Sequence, residues 1–346
     1  MGQMKAQGAG RKARGARGRE GAENPSHPPL RPAPRAMRLR PLRPAPCAVR
    51  LRHSDVVVIG AGPAGLAAAV QLERQGIRTV VLEKDRPGGQ IATANLVENY
   101  LGLFGLPGAD VARLFVRHAM NAGVRIVRAE ARRVAGRGPF TVHTTKGMWR
   151  SRAVVVATGA VPRKLGGDGG DVQYDTADLE VFRGKDVIVL GSGDAAFDRA
   201  LRIRPVATSV RVICRGAPSA LPLLVSRCIR AGIAATVGAG EPAVKLVGGR
   251  FEVRTRKGTF RAERLLASIG KLPAPPGLPL SLERLAPALP DGRTTVTGLY
   301  LVGDMVSGRG RYLSIATGMG IAAARAIGEW FNRGKRVGVG GSGPWR

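Results

Sequence analysis

Gly60-Ala61-Gly62-Pro63-Ala64-Gly65 follows the apolar run Val56-Val57-Val58-Ile59, and Glu83 closes a second apolar run, Thr79-Val80-Val81-Leu82, eighteen residues after Gly65. This is a dinucleotide fingerprint in its proper strand, turn and helix context. Gly60 permits the tight turn out of the strand, Gly62 lets the backbone approach a pyrophosphate, and Gly65 lets the next helix pack closely. Pro63 and Ala64 open that helix, whose free N–H groups and positive dipole end suit phosphates. Glu83, with Lys84 beside it, stands where a carboxylate accepts ribose hydroxyls and repels a 2′-phosphate. An unphosphorylated adenosine ribose, as in FAD or NAD, is the expected ligand.

A second copy lies downstream, where Asp186-Val187-Ile188-Val189-Leu190 leads into Gly191-Ser192-Gly193-Asp194-Ala195-Ala196 and a later strand Val210-Arg211-Val212-Ile213. The final alanine of this Gly-x-Gly-x-x-Ala still allows close helix packing. Either loop alone is weak evidence, because such glycines often only turn a chain. Two in one chain, each between strand and helix, are much stronger. Between them Ala153 to Ala160 reads as a buried strand ending in a small-residue turn at Thr158 and Gly159, and Leu299 to Asp304 reads as another strand with a Gly303-Asp304 end. A helical run, Ile321 to Phe331, closes the pattern. The expected fold is therefore α/β, with two Rossmann-like dinucleotide-binding domains, one inserted into the other. The outer domain spans 54–163 and 272–336 and the inner one 164–271, with a leader over 1–53 and a tail over 337–346.

The net charge is +31, of which the leader holds thirteen Arg or Lys against Glu20 and Glu23. About +20 remains on the rest, a basic surface suited to an acidic partner. The leader, rich in Arg, Pro, Gly and Ala, has no apolar periodicity and cannot bury a core, so it reads as disordered. It lacks the apolar segment of an export signal. It is either a basic arm or a stretch outside the working protein, with initiation at Met37 or later. Three cysteines, Cys47, Cys214 and Cys228, form no Cys-x-x-Cys, and four histidines show no ligand spacing, so no metal site is expected. No run reads as a membrane span; the longest, Val56 to Val70, is broken by fingerprint residues. A nucleic-acid binder is a rival class, but no RNA module is recognisable and aromatic residues are few. A cytoplasmic location is the default.

Gly88-Gly89-Gln90 followed by Val97-Glu98-Asn99-Tyr100 gives the chain a specific likeness. Together with both glycine loops it resembles the thioredoxin reductase-like group of the pyridine nucleotide-disulfide oxidoreductase superfamily, over about Asp55 to Asn332. The resemblance implies FAD in the outer domain and NADPH or NADH in the inner one. It also implies that Gly89, Gln90, Thr93 and Asn99 border the flavin ring, that Thr158 and Gly159 line the FAD site, and that Asp304 meets the ribityl chain. Asp304 is alternatively an N-cap for the last helix, and Gln90 and Asn99 are alternatively surface amides. A homodimer is implied as well.

The chain departs from that group in ways that bear on chemistry. Members acting on thioredoxin carry a Cys-x-x-Cys and an acid before the second glycine loop; here the segment reads Tyr174-Asp175-Thr176-Ala177-Asp178. Without the thiol pair, electrons cannot leave by dithiol–disulfide exchange in the usual way. Asp178 is either a proton-managing acid or a surface cap. Where the group has Arg-Gln-Ala, this chain has Arg311-Tyr312-Leu313, and Tyr174 and Tyr312 are either ring-packing groups or plain core. Arg215, after the second strand of the inner fold, is a lone candidate for a 2′-phosphate and favours NADPH over NADH. The expected activity is hydride transfer from NAD(P)H to FAD, then electron transfer to a non-disulfide acceptor, with ferredoxin as the specific version. The alternatives are a disulfide reductase using Cys214 or Cys228 and a non-catalytic nucleotide-binding protein.

Overall fold

Val56–Ile59, four buried β-branched residues in a row, can be satisfied only with neighbours on both sides and cover on both faces. The computed structural model describes residues 51–166, 171–285, 291–308 and 310–333, and places this strand, β2, at the centre of a five-stranded sheet. Chain order around it is β1 (Leu51–His53), β2, helix α1 (Pro63–Arg74), β3 (Thr79–Glu83), α2 (Gly108–Asn121), β4 (Arg125–Arg128), β5 (Ala131–Ala135), β6 (Phe140–Thr144), β7 (Gly147–Ser151), β8 (Ala153–Val156) and β9 (Ala160–Pro162). There follow β10 (Asp186–Leu190), α3 (Asp194–Ile203), β11 (Ser209–Ile213), α4 (Pro222–Arg230), β12 (Ala234–Thr236), β13 (Ala243–Val247), β14 (Arg250–Thr255), β15 (Gly258–Ala262), β16 (Arg264–Ala267), β17 (Lys271–Pro273), α5 (Leu282–Leu285), β18 (Leu299–Leu301) and α6 (Leu313–Asn332).

The first sheet runs β18-β8-β2-β3-β4 and the second β12-β11-β10-β16, and all pairs in both are parallel. In each, the first strand of the unit lies between its second and its fourth, so both sheets have the same topological switch point, the crevice where open α/β sheets bind ligands. The fold is the expected α/β with two Rossmann-like units. An antiparallel layer, β7-β6-β5, packs Phe140, Val142 and Trp149 under the first sheet, and β13-β14-β15 form an antiparallel meander beside the second. Strands β9 and β17 pair antiparallel, Lys271 opposite Pro162, and this two-stranded ribbon is where the chain passes between the sheets.

Glycine decides how closely the outer helices approach. A Cβ at Gly320 of α6 would lie 2.1 Å from the carbonyl oxygen of Ala64 in α1, so only a residue without one lets these helices touch. The helix begins at Leu313, eight residues before the expected Ile321, and Thr317 in its second turn donates its hydroxyl back to the Leu313 carbonyl at 3.1 Å. The last three residues of the expected leader are described. Leu51–His53 is a strand, paired in parallel with Met148–Arg150, and the Arg52 guanidinium lies 5.4 Å from the Trp149 ring. A three-residue edge strand is too short to show an apolar period, and its stability comes from backbone pairing and cation–π contact. The rest of the leader and the tail after residue 333 lie outside the described residues. No helix among the described residues is long and apolar enough to cross a membrane.

Candidate functional site

Both glycine loops sit at a switch point, and the two are built alike. Gly60 leaves β2 with φ +104°, and a Cβ there would stand 2.4 Å from the Ala157 carbonyl oxygen beyond β8. Gly191 leaves β10 with φ +148°, where a Cβ would be 2.5 Å from the Ser268 carbonyl oxygen beyond β16. Gly65 supports the outer turn from behind, its missing Cβ being 1.9 Å from the Gly60 oxygen. Gly62 differs: a Cβ there meets nothing closer than the Gly89 Cα at 3.9 Å. The cleft above Gly62 is thus kept free by the residue type, not by a packing neighbour. Gly62 is the N-cap of α1, with no side-chain cap, and since Pro63 at the first helical position has no N–H, the N–H groups of Ala64 and Gly65 are the ones left available.

Glu83 does more than the sequence reading assigned to it. Its Oε2 accepts the Ala61 N–H at 2.7 Å and its Oε1 the Asp85 N–H at 2.9 Å, which fixes the glycine loop to the end of β3. Each carboxylate oxygen keeps a further lone pair for a ribose hydroxyl. Lys84 is exposed beside it on a cavity of about 490 Å³ shared with Arg128, Glu130 and Lys146. On the other side Gly303 (φ +74°) lies against Ala64, a Cβ there reaching the Ala64 Cβ at 2.9 Å, and brings Asp304 to the carboxyl edge of β18. Thr158 donates to the Met305 sulfur at 3.5 Å and Gly159 turns with φ +68°. These residues fit FAD: a phosphate cradle without side chains, a ribose acceptor and a carboxylate on the far rim.

The segment from Gly89 to Asn99 crosses from this cleft to the inner unit. Gln90 donates its amide N–H to the Ala160 carbonyl and accepts from the Lys271 ammonium. Thr93 offers its carbonyl to the Thr176 hydroxyl at 3.0 Å, the Asn95 N–H donates to Asp198 at 2.9 Å, and Arg202 donates to the Ala94 carbonyl at 3.1 Å. Glu98 and Arg227 of α4 form a two-pronged ion pair, 2.8 Å on one arm, which holds the Glu98 carboxyl below the usual range. Asn99 is exposed. Lys271 and Arg199 are the groups that sequence reasoning missed. Lys271 stands three residues after Ser268, outside any motif; only its place next to a small-residue strand end signals it.

In the inner unit α3 begins at Gly193 and Asp194, again with no side-chain cap on its N-cap residue. Asp194 turns its carboxylate onto the Leu221 N–H at 2.8 Å, Ala195 is exposed, and Ala196 packs beneath Gly191. Arg215 is exposed and pairs with Glu241 at 3.2 Å, an acid brought in from the loop after β12. Asp178 is exposed and its carboxylate accepts the Glu180 N–H at 2.9 Å. Tyr174 is core: its hydroxyl accepts the Leu165 N–H at 3.0 Å and the Lys164 ammonium stands 3.7 Å from its ring. Tyr312 is 45% exposed at the start of α6.

Cys214 and Cys228 lie within the inner core. Burial pushes the Cys228 thiol up to about 11, with the Asp198 charge adding to it, and burial raises Cys214 as well. Thiolate is the attacking form, so neither is suited to exchange. Among the described residues no group of three or more His, Cys, Asp or Glu is placed to hold a metal ion.

Residues 54–320 match the family model for pyridine nucleotide-disulphide oxidoreductases. The chain is 33% identical over 168 residues to the thioredoxin reductase of Ureaplasma parvum serovar 3, and 32% identical over 169 residues to that of Bacillus subtilis (strain 168). Each match covers 46% of this chain and 54% of the relative, so the chain spans about half the length of the curated relatives it matches. The crystal structure of T. acidophilum thioredoxin reductase superposes with a TM-score of 0.74 at 27% identity, covering 81% of this chain and 99% of that one. Thioredoxin reductase-type members use FAD and NADPH. The matched span takes in both switch points, both glycine loops and the Gly303-Asp304 rim, and the chain belongs to the pyridine nucleotide-disulphide oxidoreductase family.

Proposed function

We propose that this protein is an FAD-dependent NAD(P)H oxidoreductase that passes electrons to a non-disulfide acceptor. The observation that carries this reading is the segment Tyr174 to Asp178: Tyr174 is packed into the core and Ala177 stands where the resemblance places the second sulfur. FAD supplies a two-electron carrier, and the chain's residues orient it. Gly62 and the N-terminus of α1 cradle its phosphates on the turn that Gly60 and Gly65 shape, Glu83 takes the ribose, and Gln90 and Asp304 border the flavin and ribityl portions. The nicotinamide nucleotide is held at Gly191, Gly193 and the N-terminus of α3. NADPH is the favoured form, with Arg215 for the 2′-phosphate; Glu241 competes for that guanidinium and weakens the preference over NADH. Asp178 is the acid that this reading assigns to the proton step beside the flavin.

The acceptor we favour is an acidic electron-transfer protein such as a ferredoxin. The net charge of +31 steers such a partner and makes the encounter salt-dependent. A homodimer in the cytoplasm belongs to the same reading. The second reading is disulfide reduction, favoured by the relatives, which are named thioredoxin reductases. Anaerobic stopped-flow absorbance with NADPH and NADH tests the first half-reaction. Bleaching of the flavin by one of them is expected, and no bleaching by either refutes the reading. Steady-state assays with ferredoxin and with thioredoxin then separate the two acceptors.

A further inference from the structure

A second opening lies at the other end of the strand that leads to the Gly303-Asp304 rim. Between the loop 293–298 and the last turns of α6 there is a cavity of about 200 Å³, lined by Arg293, Thr297, Tyr300, Glu329, Trp330 and Arg333 among others. The loop enters β18 at its amino end, whereas Asp304 lies beyond its carboxyl end, so the cavity and the flavin cleft are at opposite edges of the sheet. None of the lining residues belongs to a glycine loop, to the segment 89–99 or to the β9–β17 ribbon.

The aromatic wall of this cavity is held in place by the fold. Gly298 turns with φ +87°, and a Cβ there would lie 3.3 Å from the Trp330 ring, so the indole edge rests on the loop backbone. Phe331 meets the same ring edge-on with centroids 5.1 Å apart, and the Arg152 guanidinium stands 5.8 Å from its centroid. A ring fixed in this way can receive another ring with little further ordering.

Tyr300 supplies the polar group. It is 3% exposed and packs in the outer core, yet its hydroxyl has no hydrogen-bond partner among the described residues. Burial raises its pKa, with Arg293 opposing and Asp291 and Glu329 adding, so the side chain stays protonated at neutral pH and is a donor without an acceptor. The nearby charges are already countered: Arg293 pairs with Asp291 at 2.6 Å, Glu329 stands 3.7 Å from Arg325, and Arg333 is exposed to water. A charged ligand would give up hydration here without finding a free counter-charge. Size narrows the choice further, because a cavity of about 150 Å³ already holds benzene and drug-sized molecules need about 300 Å³ or more.

We propose that this cavity is a binding site for a small neutral phenol, whose ring lies against Trp330 and whose oxygen accepts the Tyr300 hydroxyl while its own O–H serves Glu329. The site is separate from the flavin cleft, and the inference holds whichever nicotinamide or electron acceptor is used.

The test uses the full chain loaded with FAD and fluorine NMR of two probes, 4-fluorophenol and fluorobenzene, which has the same ring without the oxygen. The phenol signal is expected to broaden and shift saturably, and fluorobenzene to bind several-fold more weakly. Tyr300→Phe is expected to weaken the phenol roughly fivefold, the worth of one neutral hydrogen bond, and to leave fluorobenzene binding and the thermal midpoint of the phenol-free protein unchanged. The flavin absorbance is expected to stay the same at saturation. No saturable phenol binding, equal affinity for the two probes, or parental phenol affinity in Tyr300→Phe overturns the proposal. So does a lower midpoint in Tyr300→Phe, which would give the hydroxyl a partner within the fold, or a shifted flavin spectrum, which would put the ring on the flavin.

Discussion

Gly62 and Gly65 belong to one hexad, yet the structure gives them opposite reasons to lack a side chain, and alanine at each separates the two. In Gly65→Ala the new Cβ would lie 1.9 Å from the Gly60 oxygen and 3.3 Å from the Ala157 Cβ. Both α1 and the turn must shift, an overpacking cost of about 1–3 kcal/mol. At about 2–4 °C per kcal/mol for a chain of this class, the FAD-free protein should melt roughly 2–12 °C lower. In Gly62→Ala the backbone is extended (φ −79°, ψ −179°) and the nearest atom is 3.9 Å away. Only the N-cap preference of glycine over alanine is lost, under ~1 kcal/mol. Its methyl, however, stands where a pyrophosphate approaches, and a similar overpacking cost in the complex weakens FAD roughly 5- to 150-fold. Differential scanning fluorimetry without FAD and fluorescence titration with FAD measure both quantities. Parental FAD affinity in Gly62→Ala, or equal destabilisation of both FAD-free variants, would refute the argument that this cleft is a phosphate site.

Other expectations rest on charge and sulfur. Glu98 has its folded-state pKa lowered by Arg227, so the pair's contribution is present above the ordinary carboxyl pKa of about 4.5 and is lost as pH falls through the lowered value. Glu98→Gln should therefore flatten the acid limb of a thermal-midpoint profile below pH 5, and an unchanged limb would show that the ion pair contributes nothing. Cys214→Ala and Cys228→Ala should leave turnover with every acceptor unchanged, and the native thiols should resist aromatic disulfide reagents until the protein unfolds; rapid labelling would contradict their burial. Turnover with a ferredoxin should fall steeply with ionic strength, and a flat response would remove the electrostatic docking argument.

The chain's periodicity discloses the two glycine loops and their strands because a switch-point turn admits so few residue types. Gly60 and Gly191 are each dictated by one backbone carbonyl across the crevice, which is why the same spelling recurs. The junction is a different matter. Lys271 and Arg199 sit 72 residues apart, in no motif; Arg199 reaches the hydroxyl of Ser268, three residues before Lys271, and Lys271 is placed by the pairing of β17 with β9. Charge alone gave no hint, in a chain with 55 basic residues. Likewise Glu241 meets Arg215 through the loop after β12, so the lone basic residue at the strand end looked more available than it is. Short edge strands such as Leu51–His53 escape for a related reason: what holds them is a partner, not their own composition.

Both described cysteines are enclosed in the inner core, each donating weakly to a backbone carbonyl. Disulfide exchange runs through a thiolate that an outside sulfur can reach. Among the described residues neither thiol offers one, so the glutathione poise of the surroundings has no handle on this part of the chain. On the proposed reading, flux from reduced nicotinamide through the flavin goes on during thiol stress, when enzymes that carry their electrons on exposed sulfur become capped and stall.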